Sequence, residues 1–293
     1  MKDVLQQNIA VLLTCYNRKQ KTLDFLESLT SQEYFKKLKI DIHLMDDAST
    51  DGTQEAVKQK YPFVDVVTGN GSLFWAGGMR AIWRRAMSVK AYDLFLIFND
   101  DVVLFDDSLE RLLSAYAASG REGNIIVGST LSAESKKLTY GGNIHYNIKR
   151  AKYYRAEPDA VKAIVCHSCN ANILLVDKAA VDQIGIFPDS YVHCLADFDY
   201  TLTAFKSGLN VAIAPGYYGY CEDDHGANWL SGKNSLKKRI AYLYSPKGLA
   251  YKEYLYYIRK HFPADYMISF IKLWLKTFFP ILWDKFKLKE EHN

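Results

Sequence analysis

Two pairs of adjacent carboxylates mark the chain: Asp46 and Asp47 in MDDASTDGT, and Asp100 and Asp101 in LFLIFNDDVVL. The first pair directly follows Leu44 and Met45, and the second follows the apolar run LFLIF after one residue, Asn99. Neighbouring carboxylates repel one another unless a cation lies between them or water surrounds both. A divalent ion carrying phosphates meets the first condition, because Mg2+ or Mn2+ combines carboxylate oxygens with substrate phosphate oxygens. A third polar stretch, LLTCYNRKQ, sets Thr14, Tyr16 and Asn17 behind another apolar run. Asp and Asn also cap helices and shape turns, which is the plain explanation for any one of these stretches. All three together describe one polar crevice.

The apolar runs are the elements that must position these groups. Ile9 to Leu13, Asp41 to Met45, Phe63 to Val67 and Leu94 to Phe98 read as strands, and Lys19 to Leu29, Thr53 to Lys60 and Met79 to Ser88 as the helices between them. This repeated βαβ pattern predicts an α/β fold, an open mixed, mainly parallel sheet in an α/β/α sandwich. A continuous run such as LFLIF suits a strand covered on both faces. Ligands of such sheets sit beyond the carboxyl ends of the strands, where the carboxylate pairs fall. After residue 120 the pattern changes: LTYGGNIHYN reads as a hairpin and AIVCHSCNANILLVDKAAVDQIGIF as strand, strand, helix. No linker composition interrupts the chain. The expectation is one catalytic domain over residues 1–232, with a donor half to about 130 and an acceptor half over about 131–232, followed by a helical tail, 233–293.

TCYNR, DDASTDGT, GNGSLFWAGGMR, NDDVVL and ADFDYTLTAFKSG follow one another along the chain. In order and approximate spacing they resemble the family 2 inverting glycosyltransferases with the GT-A fold, particularly bacterial enzymes of surface polysaccharide synthesis that transfer rhamnose or galactofuranose. The resemblance covers roughly residues 8 to 230. It implies that Thr14 and Tyr16, with Asn17 beside them, line the pocket for the donor's nucleobase, and that Asp47 hydrogen-bonds the base or ribose. It places Asn99, Asp100 and Asp101 at the family's DxD-like position, with Asp101 on a Mg2+ or Mn2+ ion and Asn99, where the family has Asp, on sugar or water. Trp75, Gly77 and Gly78 match a loop against the donor and lead to Arg80 at a helix start, where glycines permit close approach and amides favour phosphate. Asp197 matches the general base, a carboxylate that takes the acceptor's proton. Ala196 stands before it where Glu is frequent, and Asp199, two residues on, faces elsewhere on a helix. His225 in CEDDHGANW matches a C-terminal His that reaches the metal or diphosphate.

Composition agrees with a globular protein: 293 residues that are 49% hydrophobic can bury a substantial core. Five cysteines, an odd number, fit a reducing compartment, and the N-terminus lacks a signal-peptide pattern, so the expected location is cytoplasmic. Cys166 and Cys169 form CHSC without a second pair to complete a zinc site, and read as strand residues. Neither a dinucleotide fingerprint, a Walker lysine motif nor a nucleophile elbow is present. The tail carries thirteen Lys and Arg against five Asp and Glu. In DYMISFIKLWLKTFFPILWDKFKLK, a lysine at a bilayer centre would cost roughly 2.5–3.5 kcal/mol, which disfavours a spanning helix. An in-plane amphipathic helix on an anionic membrane, peripheral at the inner face of the cytoplasmic membrane, fits the pattern, as does packing on the catalytic domain or in a homo-oligomer. Nucleic acid is disfavoured, since the basic residues are interleaved with large aliphatics.

The expected function is therefore transfer of a sugar from a UDP- or dTDP-linked donor to a hydroxyl of a glycan or lipid-linked glycan. A sugar nucleotidyltransferase is a rival, although its Gly-rich opening loop with Arg and Lys is missing; a noncatalytic nucleotide- or glycan-binding module is another.

Overall fold

The computed structural model describes residues 3–223 and 228–287. The first third alternates strand and helix: β1 (Asn8–Cys15), α1 (Lys19–Thr30), β2 (Lys39–Asp46), α2 (Thr53–Lys60), β3 (Asp65–Thr68), α3 (Phe74–Val89) and β4 (Leu94–Phe98). The middle is strand-rich: β5 (Val103–Leu104), α4 (Ser108–Ala118), β6 (Asn124–Leu131), β7 (Leu138–Tyr140), β8 (Gly142–His145), β9 (Tyr153–Arg155), β10 (Ile164–Val165), β11 (Ser168–Cys169) and β12 (Ile173–Asp177). Then come α5 (Lys178–Ile184), α6 (Ala196–Lys206), β13 (Asn210–Tyr220) and four tail helices, α7 (Leu236–Tyr244), α8 (Tyr251–His261), α9 (Tyr266–Phe278) and α10 (Ile281–Lys287).

The strands and helices expected before residue 100 are all present, and α3 begins earlier than Met79. The Asp47 carboxylate accepts the amides of Leu73 and Phe74, which starts the helix at Phe74. The main sheet runs β10-β13-β6-β12-β4-β1-β2-β3. It is parallel from β4 through β3, and β12 runs antiparallel to both β4 and β6, so the sheet is mixed and mainly parallel, as expected. The predicted hairpin in LTYGGNIHYN does not form. Its first strand, β7, pairs with β6, whereas β8 joins β9 and β11 in a second, three-stranded sheet. Gly142 makes the crossing by close packing, since a Cβ there would overlap Ile213.

Alternation along the central strands explains why LFLIF is apolar throughout. Ala10, Leu12, Phe95, Ile97, Leu174 and Val176 face one core, against Met79, Ile82 and Trp83 of α3 and Leu202 of α6. Ile9, Val11, Leu13, Leu94, Leu96 and Phe98 face the other, against Phe25, Leu26 and Leu29 of α1 and Leu112 of α4. With successive side chains pointing to opposite faces, both faces must be apolar when both are covered. The polar strand ends project beyond this double core.

Candidate active site

The carboxyl ends of β1, β2 and β4 open into a cleft lined by Thr14, Tyr16, Arg18, Asp47, Trp75 and Asp100, together with Phe74, His193 and Lys247. Cys15 and Gly71 complete its wall. Of the residues singled out in the sequence, Thr14, Tyr16, Asp47, Trp75 and Asp100 therefore share one cavity. The Tyr16 ring is exposed, 46% accessible, and presents a flat face to whatever enters.

Asp47 is buried, and its two oxygens accept three amides of the 71–74 loop: Gly71 at 2.8 Å, Leu73 at 2.9 Å and Phe74 at 3.2 Å. It shapes the loop that carries Trp75 and turns only its remaining lone pairs to a ligand. Gly69 fits closely beneath it, for a Cβ there would come within 2.5 Å of Asp47 Oδ1. Asn17 lies outside the cleft lining and clasps the end of β1 to the following loop: its amide donates to Ser49 Oγ, and its Oδ1 accepts from the Thr50 amide, both at 2.8 Å. Trp75 Nε1 donates to Asn99 Oδ1 at 2.8 Å, and the Trp75 ring packs on Phe187. Asn99 thus orients the tryptophan, a role that needs a carbonyl oxygen and no charge.

Three expectations for the α3 segment are corrected. The amides of Ala76 and Gly77 already donate to the Val192 carbonyl, at 3.1 and 3.2 Å, so this helix start is not open to phosphate. Gly78 lies inside the helix and packs on β1, where an added Cβ would overlap the Thr14 hydroxyl. Its lack of a side chain serves helix-to-strand packing. Gly78→Ala is expected to destabilise the protein by about 1–3 kcal/mol through overpacking and to disturb Thr14 in the cleft wall; chemical denaturation and nucleotide titration of the variant measure both. Arg80, read as a donor ligand, instead donates to the carbonyls of Pro188 and Tyr191 at 2.9 and 2.7 Å and pairs with Asp189. That guanidinium ties α3 to the loop before α6.

The second carboxylate pair is gathered around a cation supplied by the chain. Arg18 Nη1 donates to Asp100 Oδ1 at 3.1 Å and to Asp101 Oδ2 at 2.8 Å, and Lys21 Nζ lies 3.9 Å from Asp101. Thr22 donates to the other Asp100 oxygen, and the Cys221 thiol to the other Asp101 oxygen. Burial pushes Asp100 up to about 6, Arg18 opposes that and the charge of Asp101 adds to it. No three His, Cys, Asp or Glu side chains converge as a ready-made metal cluster among the described residues. Two adjoining carboxylates nonetheless suit Mg2+ or Mn2+ when phosphate oxygens complete the shell, so the donor set fits such an ion. His225 lies outside the described residues.

Asp197 sits in the first turn of α6 and is half-buried. Its Oδ2 accepts the Ala171 amide at 3.1 Å and its Oδ1 the Phe198 amide at 2.9 Å. Asn172, next to Ala171, accepts the Asn99 amide, so the Asp197 support abuts the β4 end. Asp197 is not among the cleft-lining residues. Asp199 faces away, as expected, and is fully buried against the tail: His261 Nε2 and Lys260 Nζ of α8 meet its oxygens at 2.6 and 2.7 Å. Burial raises the Asp199 carboxyl, but those two bonds outweigh it and hold its pKa low; His261 is shifted down, chiefly by burial. Acidification therefore removes stability twice. The neutral His261 contribution is present above the ordinary histidine range and lost as pH falls through it, and the Asp199 contribution is lost at still lower pH. A fall in Tm is expected from neutral pH toward about 5, smaller in His261→Gln, whose amide still donates to Asp199. Asp199→Ala, which leaves Lys260 without its partner, is expected to cost about 3 kcal/mol in denaturant unfolding.

Arg18 and Lys247 are cleft residues that reading the motifs missed. Arg18 had a signal, as the cation beside TCYN at the end of β1. Lys247 had none, since it belongs to the tail and reaches the cleft only through the turn between α7 and α8; its ammonium lies 6.0 Å from the Phe74 ring centre.

The family model for glycosyl transferase family 2 matches residues 10–185. No curated protein matches the chain. Among solved structures, it is similar to GalNAc-T7 with UDP, GalNAc and Mn2+ (TM-score 0.58, 11% identity, 73% of this chain and 43% of that one). It is also similar to S. aureus TarS 1-349 with UDP (0.54, 13%, 73% and 60%). A third is the mannosyltransferase PcManGT from Pyrobaculum calidifontis with GDP-Man and Mn2+ (0.53, 16%, 92% and 70%). The chain spans 60% of the length of that TarS chain. At these identities the likeness is one of fold, and the mixed sheet with helices on both faces is of the GT-A type. The family match covers more than half of the sequence, and the chain belongs to glycosyl transferase family 2.

Proposed function

We propose that the chain is an inverting glycosyltransferase that moves a sugar from a UDP- or dTDP-linked donor to a hydroxyl of a glycan or lipid-linked glycan in bacterial surface polysaccharide synthesis. The cleft carries this reading: aromatic rings (Tyr16, Phe74, Trp75), cations (Arg18, Lys247) and carboxylates (Asp47, Asp100) meet at the carboxyl ends of parallel strands. GalNAc-T7 and TarS, which share the fold, bind UDP. Tyr16 and Thr14 hold the base, with Asp47 fixing the loop behind it. Asp101, together with Asp100, would hold a Mg2+ or Mn2+ ion, which supplies positive charge to the diphosphate as it leaves. Lys247 and Arg18 add positive charge to the same cleft. The acceptor oxygen attacks the anomeric carbon as the bond to the diphosphate breaks, and its proton passes to Asp197. The amides of Ala171 and Phe198 aim that carboxylate. All five cysteines are free, in keeping with a cytoplasmic setting.

Hydrolysis of UDP- and dTDP-hexoses followed by proton NMR tests the reading. The first sugar released should carry the anomeric configuration opposite to the donor's. Retained configuration would rule out a single displacement, and pyrophosphate release from a sugar 1-phosphate and a nucleoside triphosphate would identify a nucleotidyltransferase instead.

A further inference from the structure

The tail helices present an apolar face that the fold leaves uncovered. α9 packs on α7 and α8 through Phe270, Leu273 and Trp274, around a small core with Leu243 and Leu255. Its opposite side exposes Met267, Ile268, Ile271, Leu275 and Phe278, at helical spacings of one, three and four residues. Their exposure runs from 37% to 62%, and they adjoin one another along the helix. Past Pro280 the surface continues, because Ile281 and Leu282 of α10 are also exposed. Asp284 holds the α9–α10 corner in place by accepting from Trp229 Nε1, Ser231 Oγ and the Gly232 amide. The face is therefore part of a built structure.

Cations border it. Lys272 is exposed beside Ile268 and Ile271, Lys285 is exposed on α10, and Arg239 of α7 donates to the Thr277 and Phe278 carbonyls at the end of α9. From residue 233 the sequence holds thirteen Lys and Arg and only five Asp and Glu. A second copy of this chain would bring the same positive charge against itself. An anionic lipid surface answers both features, since aliphatic and aromatic groups enter the headgroup boundary while lysine stems reach phosphate. No helix of the described residues is long and apolar enough to cross a membrane, so the contact lies in the plane of the surface.

We infer that the α9–α10 face, centred on Ile271, Leu275 and Phe278, docks the protein in plane on an anionic bilayer. The inference does not rest on the transfer reaction. Docking would bring the cleft, whose wall includes Lys247 from the same tail, close to the headgroups, where a hydroxyl on a lipid-linked substrate is found.

Co-sedimentation of the full chain with vesicles decides it. Wild type should pellet with phosphatidylcholine vesicles containing phosphatidylglycerol, pellet less with phosphatidylcholine alone, and be partly released by salt. Ile271→Asp with Leu275→Asp should lower the partition by about tenfold or more, with unchanged Tm and unchanged nucleotide binding. Lys272→Glu should weaken binding to the anionic vesicles only. Wild type that stays in solution with both vesicle types would overturn the inference, as would a double variant that pellets like wild type. So would light scattering that shows a wild-type dimer which the double variant breaks, since the face would then belong to a second copy.

Discussion

Asp197→Asn should lower kcat by about 10²–10⁴-fold and leave donor affinity unchanged. The asparagine keeps the size of the side chain and one of its accepting oxygens, so the Ala171 contact that anchors it can persist. What disappears is the carboxylate proposed to take the acceptor's proton. Loss of the second amide contact, to Phe198, should cost about 1 kcal/mol of stability, and a thermal melt separates that effect from the kinetic one. Single-turnover transfer combined with donor titration is the measurement. Near-normal turnover in the variant would remove Asp197 from the reaction, and weakened donor binding would move it to the donor side.

Arg18→Met should produce the second large effect, in the absence of any substrate. The substitution leaves buried Asp100 and its neighbour Asp101 without the guanidinium that joins them. Removing one partner of a fully buried pair typically costs about 3–5 kcal/mol; because the Arg18 side chain is 43% exposed, about 1–3 kcal/mol is expected here. Mn2+ alone should restore much of that loss in the variant, by entering where the guanidinium was, and should shift wild type much less. Asp101→Asn in the same background should abolish the rescue. A variant that Mn2+ does not stabilise would show that these carboxylates form a structural ion pair only. Thermal unfolding with and without Mn2+ reads all three proteins.

The first hundred residues were legible because each of their signals is local. A strand buried on both faces leaves an unbroken apolar run, and the polar residues at its end announce themselves by contrast, as Asp100 does after LFLIF. Side-chain partnerships are another matter. Arg80 stands among motif residues, yet its carbonyl partners at Pro188 and Tyr191 are more than a hundred residues away, and only folding shows that its donors are consumed. Gly77 and Gly78 look like phosphate-loop glycines because a glycine needed for helix-to-strand contact has the same letter as one needed for a ligand. The hairpin in LTYGGNIHYN failed for a similar reason: two short strands around a Gly pair can fold back or diverge, and Ile213, packed over Gly142, directs the chain into a second sheet. Lys247 was invisible because nothing local says which tail residue meets the cleft, even where the tail packs on the catalytic domain, as Asp199 makes α8 do on α6 through His261 and Lys260.

Calorimetric titration of the full chain with UDP and dTDP in the presence of Mn2+ bears most directly on the central claim, that the cleft at the ends of β1, β2 and β4 is a nucleoside-diphosphate site. Saturable one-site binding is predicted for at least one of them, strongly weakened in Tyr16→Ala and dependent on the ion in wild type but not in Asp101→Asn. Absence of binding by every nucleoside diphosphate tried, or binding indifferent to Tyr16, would contradict the account.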